Sequence, residues 1–245
     1  MLSLVERMRP EVAAGGFPRD DSTIHFFTRV NALLEPHMTV LDFGAGRGHL
    51  FHHARQDYGH RLAKLQGKVR KVVGVDVDRA IGDHPYLDEY HVMAPGAPVP
   101  LPDASVDIVA ARWVLEHLPD PARFAAEMQR ILKPGGWLCA HTVNRWGYVG
   151  IGARAVPNEW HVRALKRLMP SRKDIDVFSV QYRLNSLADI ARHFPAEGWE
   201  NCSYVANFTP KYYANSRMLF AAFAVFQQIV PTGMKTDLLV FLRKK

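Results

Sequence analysis

Three glycines at alternate positions follow a carboxylate in the segment Asp42-Phe43-Gly44-Ala45-Gly46-Arg47-Gly48. Apolar Val40 and Leu41 lead into it, and a helical pattern follows. The order reads as a strand, a tight turn and a helix start. Glycine has no Cβ, so such a turn takes dihedrals closed to other residues and lets a ligand lie on bare backbone. The helix start adds unpaired amides. Asp42 sets a fixed negative charge beside the turn, which suits a cationic, phosphate-free ligand better than a pyrophosphate. The dinucleotide fingerprint G-x-G-x-x-G needs glycine at its sixth position and an acid about 20 residues on. Here the sixth position is His49, and the next candidate acid, Asp76, ends the second apolar strand thirty residues after Gly46.

An acid at a strand end accepts hydrogen bonds from both hydroxyls of a ribose, as acids do in nucleotide folds, or serves as an ordinary turn residue. Further along come Leu101-Pro102-Asp103-Ala104-Ser105-Val106-Asp107-Ile108-Val109, then Val114-Leu115-Glu116-His117-Leu118, then Leu132-Lys133-Pro134-Gly135-Gly136. With the glycine turn, these residues resemble the motifs of the class I methyltransferases that use S-adenosylmethionine (SAM), in their broad small-molecule branch. The resemblance covers about residues 38–144, and it specifies the cofactor better than the acceptor.

The resemblance implies roles. Asp42 and Gly44, Ala45 and Gly46 would flank the methionine end of SAM, with Gly48 closing the turn. Asp76 would hold the ribose, with Val77 beside the adenine. Arg112 and Trp113 would line the methionine side. Many relatives carry an Asp-Ala pair that contacts adenine; the matching stretch here, Pro95-Gly96-Ala97-Pro98, has no acid. Adenine recognition then falls to backbone around Met93 to Ala97. Methyl transfer needs a nucleophile held in line, and positioning alone is worth roughly 7–11 kcal/mol. An oxygen or nitrogen nucleophile also profits from a base, for which histidine is suited. His117 is the candidate catalytic base; the alternative is that the Glu116-His117 pair only fixes the loop. His141 reads as a packed strand residue, and His161, Tyr182 and Arg183 as further candidates for reaching substrate. No metal site is expected.

The elements that must position these groups alternate. Strands are expected at 39–43, 72–76, 90–93, 106–112, 137–143, 201–208 and 237–242. Helices are expected at 22–34, 48–65, 79–90, 122–132, 186–194 and 213–229. Residues 94–103, rich in proline and glycine, read as a turn-rich loop. This alternation predicts an α/β three-layer sandwich, a seven-stranded, mostly parallel, Rossmann-like sheet with helices on both faces; the resemblance makes the last strand pair antiparallel. The chain reads as one domain, residues 1–245. Residues 145–185, with Trp146, Tyr148, Trp160, His161, Phe178, Tyr182 and several cations, read as an insertion or lid over the strand ends.

The chain has 245 residues, a net charge of +7 and two cysteines. Its positive charge favours acidic partners, here a small-molecule or glycan-type acceptor, such as a sugar on a phosphate carrier. Cys139 and Cys202 read as buried thiols. No leader is seen, and the longest apolar run, Met218 to Phe226, is far shorter than the roughly 20 residues of a membrane span; a cytoplasmic protein is expected. Residues 212–230 read as a core helix or, alternatively, a membrane-surface or dimer helix. Two rival functions are an RNA methyltransferase, prompted by the charge, and a non-catalytic SAM-fold binding subunit.

Overall fold

The computed structural model describes residues 3–52, 57–155, 180–211 and 213–245. The candidates Trp160, His161 and Phe178 lie outside these residues, as does Tyr212. Among the described residues the strands are β1 (Thr39–Phe43), β2 (Lys71–Asp76), β3 (Glu89–Val92), β4 (Val106–Arg112), β5 (Leu132–Val143), β6 (Trp199–Asn201), β7 (Tyr204–Ala206) and β8 (Asp237–Lys244). The helices of the α type are α1 (Leu4–Met8), α2 (Ser22–Leu33), α3 (Tyr58–Ala63), α4 (Pro121–Ile131), α5 (Tyr148–Ala155), α6 (Leu187–His193) and α7 (Arg217–Ile229).

The sheet order is β3-β2-β1-β4-β5-β8-β6, with β7 also on β8. β1 to β5 are mutually parallel, and β8 runs antiparallel to β5, β6 and β7. The sheet is the mostly parallel one expected, but it has eight strands. The single expected strand 201–208 is two short strands that share the outer edge of β8, with Ser203 between them bonding Phe241 N–H through its hydroxyl.

Strand residues alternate between faces, and the central strands are apolar on both. Leu41, Val73, Val109 and Leu138 pack on one side with Phe124, Met128 and Ile131 of α4. Val40, Val72, Ile108 and Cys139 pack on the other with Phe26, Phe27 and Val30 of α2. This is the three-layer arrangement. Asp21 and Asp120 cap α2 and α4 by accepting the N–H groups of Ile24 and Arg123.

Several expectations are corrected. The helix expected over 48–65 is a short 3-10 turn, His49–Phe51, followed by α3. Asp57 caps α3 in a reciprocal arrangement with His60, so a new helix starts there. The helix expected over 79–90 is a 3-10 turn, Arg79–Asp83, capped by Asp78. Cys202 is exposed, because it follows the edge strand β6, whereas Cys139 is buried in β5. Helix α7 is not a core helix: Phe220 alone among its residues is fully buried, while Met218 and Ile229 are about three-quarters exposed.

Candidate active site

The glycine turn leaves β1 at the carboxyl end of the parallel strands, where ligands bind in open α/β sheets. Gly44, Gly46 and Gly48 have φ of 74°, 52° and 68°, a region that disfavours side chains. Space makes the same demand at two of them. A Cβ on Gly44 would lie 2.3 Å from Cγ2 of Val114, and one on Gly48 2.6 Å from Cδ2 of His84. The loop after β4 therefore rests directly on the turn after β1. Gly44 N–H donates to Val75 O (2.8 Å) and Gly46 N–H to Oδ2 of Asp76 (2.7 Å). The other Asp76 oxygen accepts from Asp78 N–H (2.8 Å). Ala45 N–H also donates to Val75 O, at 3.3 Å. At Gly46 a Cβ would meet nothing nearer than that carboxylate, 4.0 Å away. Bare backbone and an acid thus border one open space.

Asp42 lies inside this frame, half-buried at the end of β1. Burial, aided by the neighbouring Asp76 carboxylate and opposed by Arg112, pushes its carboxyl up to about 7. Arg112 ends β4, and burial brings its guanidinium down to about 10. Its Nη2 donates to Thr23 Oγ1 of α2 (2.6 Å), and its buried Nε has no hydrogen-bond partner among the described residues. Trp113 follows with φ of 59°, its N–H held by His141 O at 2.8 Å. Its ring centroid is 4.2 Å from that of His141, and Lys211 Nζ stands 4.3 Å above it. Val77 is half-exposed beside Asp76.

Beneath Trp113 sits a buried polar group. His141, fully buried in β5, pairs through Nε2 with Asp237 Oδ1 of β8 (2.9 Å). Burial takes the imidazole down to about 4, so it is neutral; beside a carboxylate, Nε2 is then the protonated nitrogen. Burial would raise Asp237, but Lys211 and His141 outweigh it and hold the carboxyl well below its usual range. Thr236 Oγ1 donates to the second Asp237 oxygen at 2.6 Å.

His117 closes a 3-10 turn, Leu115–His117, and is half-buried; its N–H donates to Val114 O, the residue that covers Gly44. Its neighbour Glu116 is buried, which raises its carboxyl; the Thr142 hydroxyl, donating at 2.6 Å, acts the other way. Asn185 Nδ2 donates to Thr142 Oγ1 and to Val143 O. The Glu116 carbonyl accepts from the N–H groups of Gln181 and Tyr182. The described end of the 145–185 segment is therefore fastened over β4 and β5. Tyr182 is buried, and Arg183 donates to Pro119 O from the surface.

The structure thus joins Asp42, the three glycines, Asp76, Arg112 and Trp113 around the ends of β1, β2 and β4. It adds Thr23, Val114, Lys211 and Asp237. Only Asp237, an acid opening a strand, carried a local sequence signal. Among the described residues no group of three or more His, Cys, Asp or Glu is placed to hold a metal.

A family model described as a methyltransferase domain matches residues 18–209. A protein of Mycolicibacterium smegmatis named a probable S-adenosylmethionine-dependent methyltransferase is 38% identical over 131 residues, 51% of this chain and 46% of that protein. A Mycobacteroides abscessus protein named an uncharacterized methyltransferase is 32% identical over 174 residues, 64% of each chain. The chain spans about half to two-thirds of the length of these curated relatives. Among solved structures, a SAM-dependent methyltransferase of Thermotoga maritima aligns over 99% of this chain and 98% of its own, with a TM-score of 0.58 and 16% identity. The geranyl diphosphate C-methyltransferase of Streptomyces coelicolor, crystallised with S-adenosylhomocysteine, aligns over 91% and 79%, with a TM-score of 0.54 and 16% identity. At such identities these two show the shared fold.

Proposed function

Since this chain belongs to the class I SAM-dependent methyltransferases, we propose that it moves the methyl group of SAM to a small or medium organic acceptor of acidic, glycan or sugar-linked type. The observation that carries the cofactor half of this reading is the Gly46 amide held by the Asp76 carboxylate, at the one glycine of the turn with room beside it. That edge fits SAM chemically, offering backbone and the Asp42 and Asp76 carboxylates to a ligand that bears a sulfonium. SAM, when bound, supplies an electrophilic methyl group.

The residues of this chain do the rest. Asp42 and the turn Gly44, Ala45, Gly46 and Gly48 hold the amino-acid end. Asp76 accepts from the ribose hydroxyls, and Val77 packs at the base. Arg112 and Trp113 line the methionine side and exclude water from it. His117 takes the proton from the acceptor, supported by its place on the loop that covers Gly44. Lys211 and the net charge of +7 favour an acidic acceptor. Residues 145–185 form an insertion over the strand ends in this reading, supported by the hydrogen bonds from Gln181 and Tyr182 to Glu116. Peripheral contact with a membrane through residues 212–230 belongs to the same reading, supported by the exposed apolar side chains of α7.

Isothermal titration with SAM and S-adenosylhomocysteine tests the cofactor half. Micromolar binding of both is expected, and a well-folded protein that takes up neither overturns the assignment. Acceptor screening over acidic glycans and sugar phosphates, read as S-adenosylhomocysteine release, tests the rest.

A further inference from the structure

Helix α7 exposes one apolar stripe. Met218, Ala222, Val225 and Ile229 follow the i, i+4, i+7, i+11 spacing of a single helix face and are all exposed, at 78% for Met218, 59% for Val225 and 76% for Ile229. The opposite face carries Phe220, buried, and Phe223, which stacks on Tyr148 of α5 at 4.8 Å. The stripe is therefore not the face by which the helix is held to the protein. Large apolar patches on a surface mark contact sites.

Charge argues for the occupant. From Asn201 to Thr236 the chain carries Lys211, Arg217 and Lys235 and no acidic residue. Two residues before Tyr148, which stacks on α7, the exposed Trp146 has the guanidinium groups of Arg145 (5.4 Å) and Arg154 (5.2 Å) over its ring. Exposed aliphatic and indole side chains bordered by cations, without acids, match an anionic lipid surface. A symmetric pair of chains joined on this stripe would instead bring like charges together. No helix among the described residues is long and apolar enough to cross a membrane, so the fit is to the surface of the bilayer. Tyr148 Oη donates to Lys211 O at 3.3 Å, and Lys211 stands over Trp113. The inner face of α7 is thus joined through Phe223 and Tyr148 to Lys211, beside Trp113.

We propose that the exposed face of α7, together with the cation-flanked Trp146, docks this protein on an anionic bilayer. The proposal deepens the peripheral contact proposed above and rests on it, naming the lipid charge and the side chains that insert.

The test is co-sedimentation of the full chain with vesicles of phosphatidylcholine alone or mixed with phosphatidylglycerol, alongside titration with S-adenosylhomocysteine. Wild-type protein should pellet with the mixed vesicles and not with the neutral ones. The triple variant M218D/V225D/I229D should lose about tenfold or more of that binding, as should R217E in part, because each cation near the surface and each inserted apolar group contributes. Both variants should keep wild-type circular dichroism and cofactor binding. Wild-type protein that ignores the mixed vesicles, or pellets equally with neutral ones, overturns the proposal. So does a dimer in sedimentation velocity that M218D/V225D/I229D dissolves. Failure to bind S-adenosylhomocysteine would sink the methyltransferase reading and leave the docking result standing.

Discussion

The backbone N–H of Gly46 is 2.7 Å from Oδ2 of Asp76, so the turn after β1 is fastened to the end of β2 by the acid proposed to hold the ribose. One carboxylate shapes the turn and, in the proposed role, would also meet the ligand.

Asp76→Asn keeps an acceptor for Gly46 and loses the charge, whereas Asp76→Ala loses both. Hydrogen bonds to charged groups are worth about 1.5–3 kcal/mol. Asp76→Ala should therefore weaken SAM binding by roughly 10- to 100-fold or more, with Asp76→Asn in between. Unaltered affinity of Asp76→Ala in calorimetry would remove Asp76 from the ribose.

Asp42 is expected to release a proton when the cofactor binds. Its carboxyl titrates near 7 in the free protein, and a cationic ligand favours the ionised form. Affinity should fall as pH drops below about 7 in the wild type and stay flatter in Asp42→Asn. The stability sign is opposite. The folded pKa is above the unfolded value, so the unfolded chain gives up this proton first, and rising pH between 4 and 7 costs the apo protein stability. Asp42→Asn should thus be more stable than wild type at pH 8, by up to about 4 kcal/mol, while binding SAM less well. Denaturant melts at pH 5 and pH 8 check this.

His117→Ala should leave SAM affinity unchanged and cut acceptor turnover by about 10²- to 10⁴-fold, the usual range for a lost general base. Near-normal turnover would leave the histidine a loop residue only. The readout is acceptor-dependent release of S-adenosylhomocysteine.

His141 should make the protein acid-sensitive. Its folded pKa, about 4, lies below the unfolded value near 6.5. Between the two the unfolded chain binds the extra proton, so stability is lost as pH falls from about 6.5 to 4. Asp237, held low by Lys211 and His141, adds a loss that sets in as pH falls through the ordinary aspartate range and continues below it. His141→Gln keeps a donor for Asp237 and removes the titration. Its stability should change less across that window than the wild type, measured by urea unfolding at pH 7 and pH 4.5.

The glycine turn and the strand-end acids of the candidate site were legible in the sequence because they are local. Glycines that need positive φ and acids that end strands announce themselves within a few residues, as at Gly44, Gly46 and Asp76. The sheet was legible for the same reason, through apolar runs punctuated by caps such as Asp120. What was hidden depends on distant pairing. Thr23 meets Arg112 across 89 residues, and His141 meets Asp237 across 96. Lys211 lies in an irregular loop, with no pattern to aim it at Trp113. The helix expected after Gly48 failed on a detail with a local signal, the capping pair Asp57 and His60. Helix α7 failed for a different reason: an apolar period shows that a helix has an oily side, not whether protein covers it.

Strand β8 fills the gap between β5 and the two edge strands although it follows all of them in the chain. As the polypeptide emerges, β6 and β7 have no neighbour to pair with until residues 237–244 arrive. Strands β1 to β4 need none of these latecomers, so the glycine turn and the strand-end acids can assemble early. The layer under Trp113 waits for Asp237, which reaches His141 only when β8 pairs with β5.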